Sequence, residues 1–144
     1  MVRMFMLQIS LKLLILCHGF RYNMKILCSG DRNWGNRLSI LRALSSLFTT
    51  NPQDVTIIHG GASGADSICD EFAKKLGYNV KEYKPYWRRF GKGAGPIRNQ
   101  FMIDDNPDID MAFIFHGNLT ESKGTKDMFK RVCRAKIPYK IFSY

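Results

Sequence analysis

Val55-Thr56-Ile57-Ile58-His59-Gly60-Gly61-Ala62-Ser63-Gly64-Ala65-Asp66, running on through Ser67 to Leu76, is the stretch on which the fold turns. Its first four residues are apolar or β-branched, as in a buried strand. Gly60, Gly61 and Gly64 interrupt them, and Ile68, Phe72, Ala73 and Leu76 then recur at helical spacing. Strand, glycine turn and helix follow in that order. Such a turn is expected to leave backbone N–H groups facing outward at the positive end of a helix dipole. Glycines there would let a phosphate reach the main chain without meeting a Cβ.

Working outward, similar units appear on both sides. Upstream, residues 25–28 form a short apolar run that ends in the polar turn Ser29-Gly30-Asp31-Arg32-Asn33-Trp34. A helix is expected over about 37–48, with Leu38, Leu41, Leu44 or Ser45, and Phe48 in one stripe and Ile40 and Leu47 widening it. Downstream, residues 79–83 read as a third strand. Residues 84–95 mix aromatic, basic and glycine residues without a period and read as a loop over the site. Gly95-Pro96 is expected to open a helix with Ile97, Phe101 and Met102 on its apolar face, ended by Asn106-Pro107. Residues 111–115 are the most hydrophobic strand, and a polar turn over 116–125 follows. A helix over about 125–135 presents Met128, Phe129, Val132 and Cys133, and residues 139–142 close as a last strand. Alternating strands and helices predict an α/β fold, a single Rossmann-like domain with a mainly parallel sheet flanked by helices. In such sheets ligands lie beyond the carboxyl ends of the strands.

The chain has 144 residues, 45% of them hydrophobic, so one domain over residues 24–144 accommodates the pattern. Its net charge of +10 suits an anionic partner without choosing among nucleotide, nucleic acid and phospholipid. Cys17, Cys28, Cys69 and Cys133 are widely spaced with no CxxC pair, which argues against a zinc ribbon or disulfide framework. Packing cysteines in a reduced, cytoplasmic protein are the expectation. No His, Cys or carboxylate cluster has ligand spacing, so neither a metal nor a cofactor is expected. Residues 1–23 stand apart as an N-terminal extension. The run from Met4 to Leu16 is interrupted by Gln8, Ser10 and Lys12 and is too short for a membrane span. It suits a dispensable start before Met24, an added edge strand with alternating apolar residues, or a targeting segment.

Several side chains in the turns have the chemistry of a binding site. Arg32 and Arg98 can fork onto phosphate or carboxylate. Asp66 can cap its helix or accept a ligand hydroxyl. Trp34 and Trp87 can stack on a base or pack in a core, and His59 and His116 follow strands at the site edge.

The set formed by 29–34, His59-Gly60-Gly61-Ala62-Ser63-Gly64-Ala65-Asp66, Trp87, Gly91-Lys92-Gly93-Ala94-Gly95-Pro96-Ile97-Arg98-Asn99 and Ser122-Lys123-Gly124-Thr125-Lys126-Asp127-Met128 resembles the YspA-type branch of the SLOG superfamily. The resemblance implies binding of a nucleotide or nucleotide-derived ligand, for sensing or processing, and a homodimer. The implied ligand-binding residues are Ser29, Gly30, Arg32, Trp34, Gly60, Gly61, Ala62, Gly64, Asp66, Gly95, Arg98, Asn99, Ser122, Gly124 and Thr125. Superfamily phosphoribohydrolases place an arginine and a glutamate on an N-glycosidic bond. Here Arg98 matches the first, but Met128 stands where the glutamate belongs, and a thioether is no base. Asp127 is the neighbouring carboxylate, turned about 100° around the helix. An N-glycosidase using Arg98 and Asp127 is therefore one alternative. A nucleic-acid-binding protein is the other, with Lys81, Lys84, Arg88, Arg89, Lys92, Lys126, Lys130, Arg131 and Arg134 as its basic surface.

Overall fold

The computed structural model describes residues 23–47, 51–118 and 121–144, so the N-terminal segment and Phe48 lie outside the described residues. Five strands form one sheet: β1 (Met24–Gly30), β2 (Val55–His59), β3 (Asn79–Glu82), β4 (Met111–Phe115) and β5 (Tyr139–Phe142). All neighbours pair parallel in the order β3-β2-β1-β4-β5. The helices are α1 (Arg37–Ser45), α2 (Ala65–Lys75), α3 (Trp87–Phe90), α4 (Ala94–Asp104) and α5 (Lys123–Arg134).

The apolar runs form strands because both faces of this sheet are covered. Side chains alternate across the pleat. Ile26, Cys28, Ile57, Phe113 and Phe115 pack with Ile40 and Leu44 of α1 and Ile68, Cys69 and Ala73 of α2. Leu27, Ile58, Ala112 and Ile114 pack on the other face, with Met102 and Ile103 of α4 and Met128 and Val132 of α5. From β1 the chain steps outward to β2 and β3, then returns to the other side of β1 for β4 and β5. The connections after β1 and β4 therefore leave in opposite directions. A crevice opens at that divide, beyond the carboxyl ends of the strands.

Several expectations are corrected. The α1 core face is Ile40, Ala43 and Leu44, while Leu38 is exposed, and the helix stops at Ser45. Residues 84–95 are more than a loop, because they contain α3 and a 3-10 turn over Gly91–Gly93. Helix α4 starts at Ala94, which puts Pro96 at its third position, still in the first turn where its missing N–H has no intrahelical role. Its buried face is Ala94, Asn99, Met102 and Ile103. Ile97 and Phe101 turn outward, beside the exposed Tyr86 and Phe90, because the inward side of this helix is given partly to polar residues of the site. Cys28 and Cys69 are core residues, but Cys133 is exposed.

Backbone comes closest to backbone where the β1 loop meets α2. Gly64, the residue before α2, has φ +71, and a Cβ there would collide with the carbonyl group of Arg32. Gly64→Ala is expected to lower stability by about 3 kcal/mol, from left-handed strain plus the clash. Urea unfolding should show a lower midpoint at unchanged slope. Gly124→Ala, at a helical position where a Cβ meets nothing within 4 Å, should match or slightly exceed the parent protein.

Candidate functional site

The loop after β1 is tied to two other elements through Asp31. Its N–H donates to the carbonyl of Phe115 at 2.9 Å, joining the loop to the end of β4. Its own carbonyl accepts from Trp34 N (3.2 Å) and Ala65 N (3.0 Å), joining it to the start of α2. A Cβ on Gly30 would lie 2.5 Å from the Phe115 carbonyl oxygen and 2.6 Å from Ala65 Cβ, so only glycine permits this approach. Trp34 closes the loop from beneath. Its ring is 2% exposed, stacks on Tyr144 with centroids 4.4 Å apart, and donates Nε1–H to the Asn36 carbonyl at 2.9 Å. It belongs to the core, the second of the two roles expected of it.

The glycine turn after β2 is also organised from within. Asp66 Oδ2 accepts N–H bonds from Gly60 (3.1 Å) and Ala62 (3.2 Å), so its carboxylate folds back on the turn and does not cap α2. Gly61 N–H donates to His59 Nδ1 at 3.0 Å. That leaves the imidazole proton on Nε2, which faces Asp70 Oδ1 at 3.0 Å, and Lys74 Nζ donates to the other Asp70 oxygen at 2.7 Å. Three amides expected to face a phosphate are thus taken by this chain's own side chains. Burial pushes the Asp66 carboxyl above its ordinary range, against the opposing pull of nearby His59 and Arg98.

Arg98 crosses from α4 to this turn. Its Nη1 donates to the carbonyls of Gly60 and, at 3.2 Å, Tyr83, while Nε donates to Asn99 Oδ1 at 3.0 Å. A Cβ on Gly60 would collide with the guanidinium. Burial lowers the Arg98 pKa; Asp66 opposes that shift and Arg32 adds to it. Asn99, itself buried, donates Nδ2–H to Asp127 Oδ2 at 3.0 Å. Arg131 grips both Asp127 oxygens, from Nε at 2.8 Å and Nη2 at 3.1 Å. Burial would raise the Asp127 carboxyl, but Arg131 and then Asn99 outweigh it and hold it below the ordinary range. Arg98 and Asp127 are linked through Asn99, and the Asp127 carboxylate is already engaged.

Around these groups lies a cavity of about 500 Å³. Of the expected ligand residues, Ser29, Gly30, Arg32, Ala62, Asp66, Arg98, Asn99, Ser122, Gly124 and Thr125 line it. Asp31, Asn33, His116, Glu121 and Lys123 line it too; their positions directly after strand ends or before a helix were the available signal. Gly60 and Gly61 line a neighbouring cavity of about 360 Å³, together with Ser63, Lys84, Pro85, Trp87 and the shared Arg32, Ala62 and Arg98. Gly64 and Gly95 line neither. Gly64 makes the loop contact above, and Gly95 lies beside Trp87, where a Cβ would come 3.8 Å from Cη2. Asp127 and Trp34 also line neither, and Met128 is buried in the core. The α5 N-terminus opens on the larger cavity, with Ser122 Oγ accepting from Thr125 N at 3.3 Å. Among the described residues no cluster of three or more His, Cys, Asp or Glu could hold a metal ion, and no helix is long and apolar enough to cross a membrane.

The profile of the YspA, cpYpsA-related SLOG family matches residues 24–90. The chain is 33% identical over 119 residues to the Gene 61 protein of Mycobacterium phage D29, spanning 79% of this chain and 92% of that protein. The chain belongs to this SLOG family. Its fold is similar to the X-ray structure of DNA processing protein A (DprA) from Streptococcus pneumoniae, with a TM-score of 0.64 at 13% identity. That match covers 82% of this chain and 50% of the longer structure, so the chain spans about half its length.

Asp66→Ala removes the acceptor shared by two amides and should cost about 2 kcal/mol. Asp66→Asn keeps an acceptor oxygen and loses the buried charge. Because the folded carboxyl titrates above its ordinary value, wild-type stability should fall as pH rises from the ordinary carboxylate range through that raised value. Urea midpoints taken from about pH 4 to 8 should therefore show Asn gaining on Asp with rising pH. A pH-independent difference would contradict a raised Asp66.

Proposed function

We propose that this protein binds a nucleotide or nucleotide-derived small molecule in the cavity beyond β1 and β4. The observation that carries the reading is the mixed character of the lining. Arg32, Arg98 and Lys123 are set among Asp31, Asp66 and Glu121, at the open N-terminus of α5. Bare phosphate or a nucleic-acid backbone would favour a uniformly basic surface. A nucleotide presents phosphate for the arginines and helix N-terminus, and sugar hydroxyls for carboxylate acceptors. Membership of the SLOG family supports the same ligand class.

Binding is favoured over hydrolysis because Asp127 is engaged by Arg131 and Asn99. A nucleic-acid reading has its own support on a surface that adjoins the smaller cavity and shares Lys84 and Trp87 with it. Tyr86, Trp87, Phe90 and Phe101 are exposed beside Lys84, Arg88, Arg89 and Lys92, combining stacking faces with cations. Steep loss of single-strand affinity with salt, reduced by Arg88→Ala with Arg89→Ala, would favour it.

Mass spectrometry of natively purified full-length protein should reveal a copurifying nucleotide species, and calorimetry should detect binding after its removal. Arg32→Ala is the cleanest variant. Its side chain is exposed, so stability should stay within about 0.5 kcal/mol while nucleotide affinity falls about tenfold. Empty preparations, together with no thermal shift for any nucleotide tried, would overturn the proposal.

A further inference from the structure

The two cavities share a wall made by Arg32, Ala62 and Arg98, but their other linings differ in kind. The larger holds three carboxylates, Asp31, Asp66 and Glu121. The smaller is lined by Lys84 with the two shared arginines and by no carboxylate; Glu82 stands outside its lining, with Oε1 close against Gly61 and Oε2 3.8 Å from Lys84 Nζ. Its remaining side-chain chemistry is the Ser63 hydroxyl and an indole. Trp87 is 51% exposed, whereas Trp34, the other tryptophan of the chain, is 2% exposed. Leaving half of so large an apolar side chain in water forfeits burial that a stacked base would restore, and the Cη2 edge of the ring lies near Gly95 in the first turn of α4.

Resting on the nucleotide reading above, we propose that the ligand has two ring-bearing halves joined by a diphosphate. One nucleoside occupies the larger cavity, where Asp31 and Asp66 accept its sugar hydroxyls. The diphosphate lies at the shared wall, its two negative charges facing Arg32 and Arg98. The second half enters the smaller cavity, which lacks a carboxylate for sugar hydroxyls but offers the Trp87 face, so an aromatic base is the group it suits. A mononucleotide leaves that chamber empty. An inorganic polyphosphate uses its cations and ignores its indole.

The test compares adenosine monophosphate with diadenosine diphosphate, by calorimetry on the full-length chain. The dinucleotide should bind at least about tenfold more tightly, the range of one base–aromatic stack. Trp87→Ala should bring the ratio of the two affinities toward one, and Trp87→Phe should restore most of it. Tryptophan fluorescence should be quenched by the dinucleotide much more than by the mononucleotide, and this difference should vanish in Trp87→Phe. Equal affinities for the two probes, or a Trp87→Ala loss shared equally by both, would overturn the two-part ligand while leaving nucleotide binding in place. Binding of neither probe, with no nucleotide copurifying, would remove both readings.

Discussion

Three short bonds at Asp31 determine where everything else in the site can be. Its N–H reaches the end of β4, and its carbonyl gathers Trp34 and the first residue of α2. Three segments far apart in the chain thus meet at one residue, and Gly30 and Gly64 are the places where backbone passes too close for a side chain. The sheet order requires this junction. Because β1 is central and the chain departs from it to both sides, the ends of β1 and β4 must be held together while their loops diverge.

Once that junction is made, the glycine turn has a different task from the one its composition suggests. Its amides are bound by Asp66 and His59, so the turn acts as a rigid wall, braced by the His59–Asp70–Lys74 series. In the reading proposed above, ligand contact would pass to side chains that rest on the wall, above all Arg98, and to the opposite side at the α5 N-terminus. A site built this way needs little reordering when it is filled, since the polar groups of its wall are already satisfied. The same arrangement ties Asn99 to Asp127 and separates that carboxylate from the cavity.

The strands were legible because their signal is burial on both faces. Met111–Phe115 and Tyr139–Phe142 coincide with the expected runs, and Val55–His59 extends its run by one residue. The glycines and arginines at strand ends also marked the turns that border the two cavities. Periodicity failed at α4, where Asn99 is buried for the site's sake and Ile97 and Phe101 are outside. It could not tell two tryptophans apart either. Trp34 packs because Tyr144 and Phe115 surround it, and Trp87 does not because its short helix lies at the surface; both facts are set by contacts distant in sequence. Asp127 looked available from its position next to Met128; its i,i+4 pairing with Arg131 follows from the helix itself, and the fold adds Asn99 from α4.

Among the described residues the sheet ends at β3 and β5, and both of these strands are only four residues long. An open edge is a template for another strand, and long flat edges invite chains to associate into aggregates. Here each edge carries a lysine inside the strand, Lys81 in β3 and Lys140 in β5, with its ammonium over a neighbouring ring at 5.2 Å and 5.1 Å. Part of the positive charge that suggests an anionic partner therefore sits on these two strands, and the Lys81 share of it is paired with Asp105 at 2.7 Å. Another strand adding to either edge would have to desolvate an ammonium group, whether or not any ligand is bound.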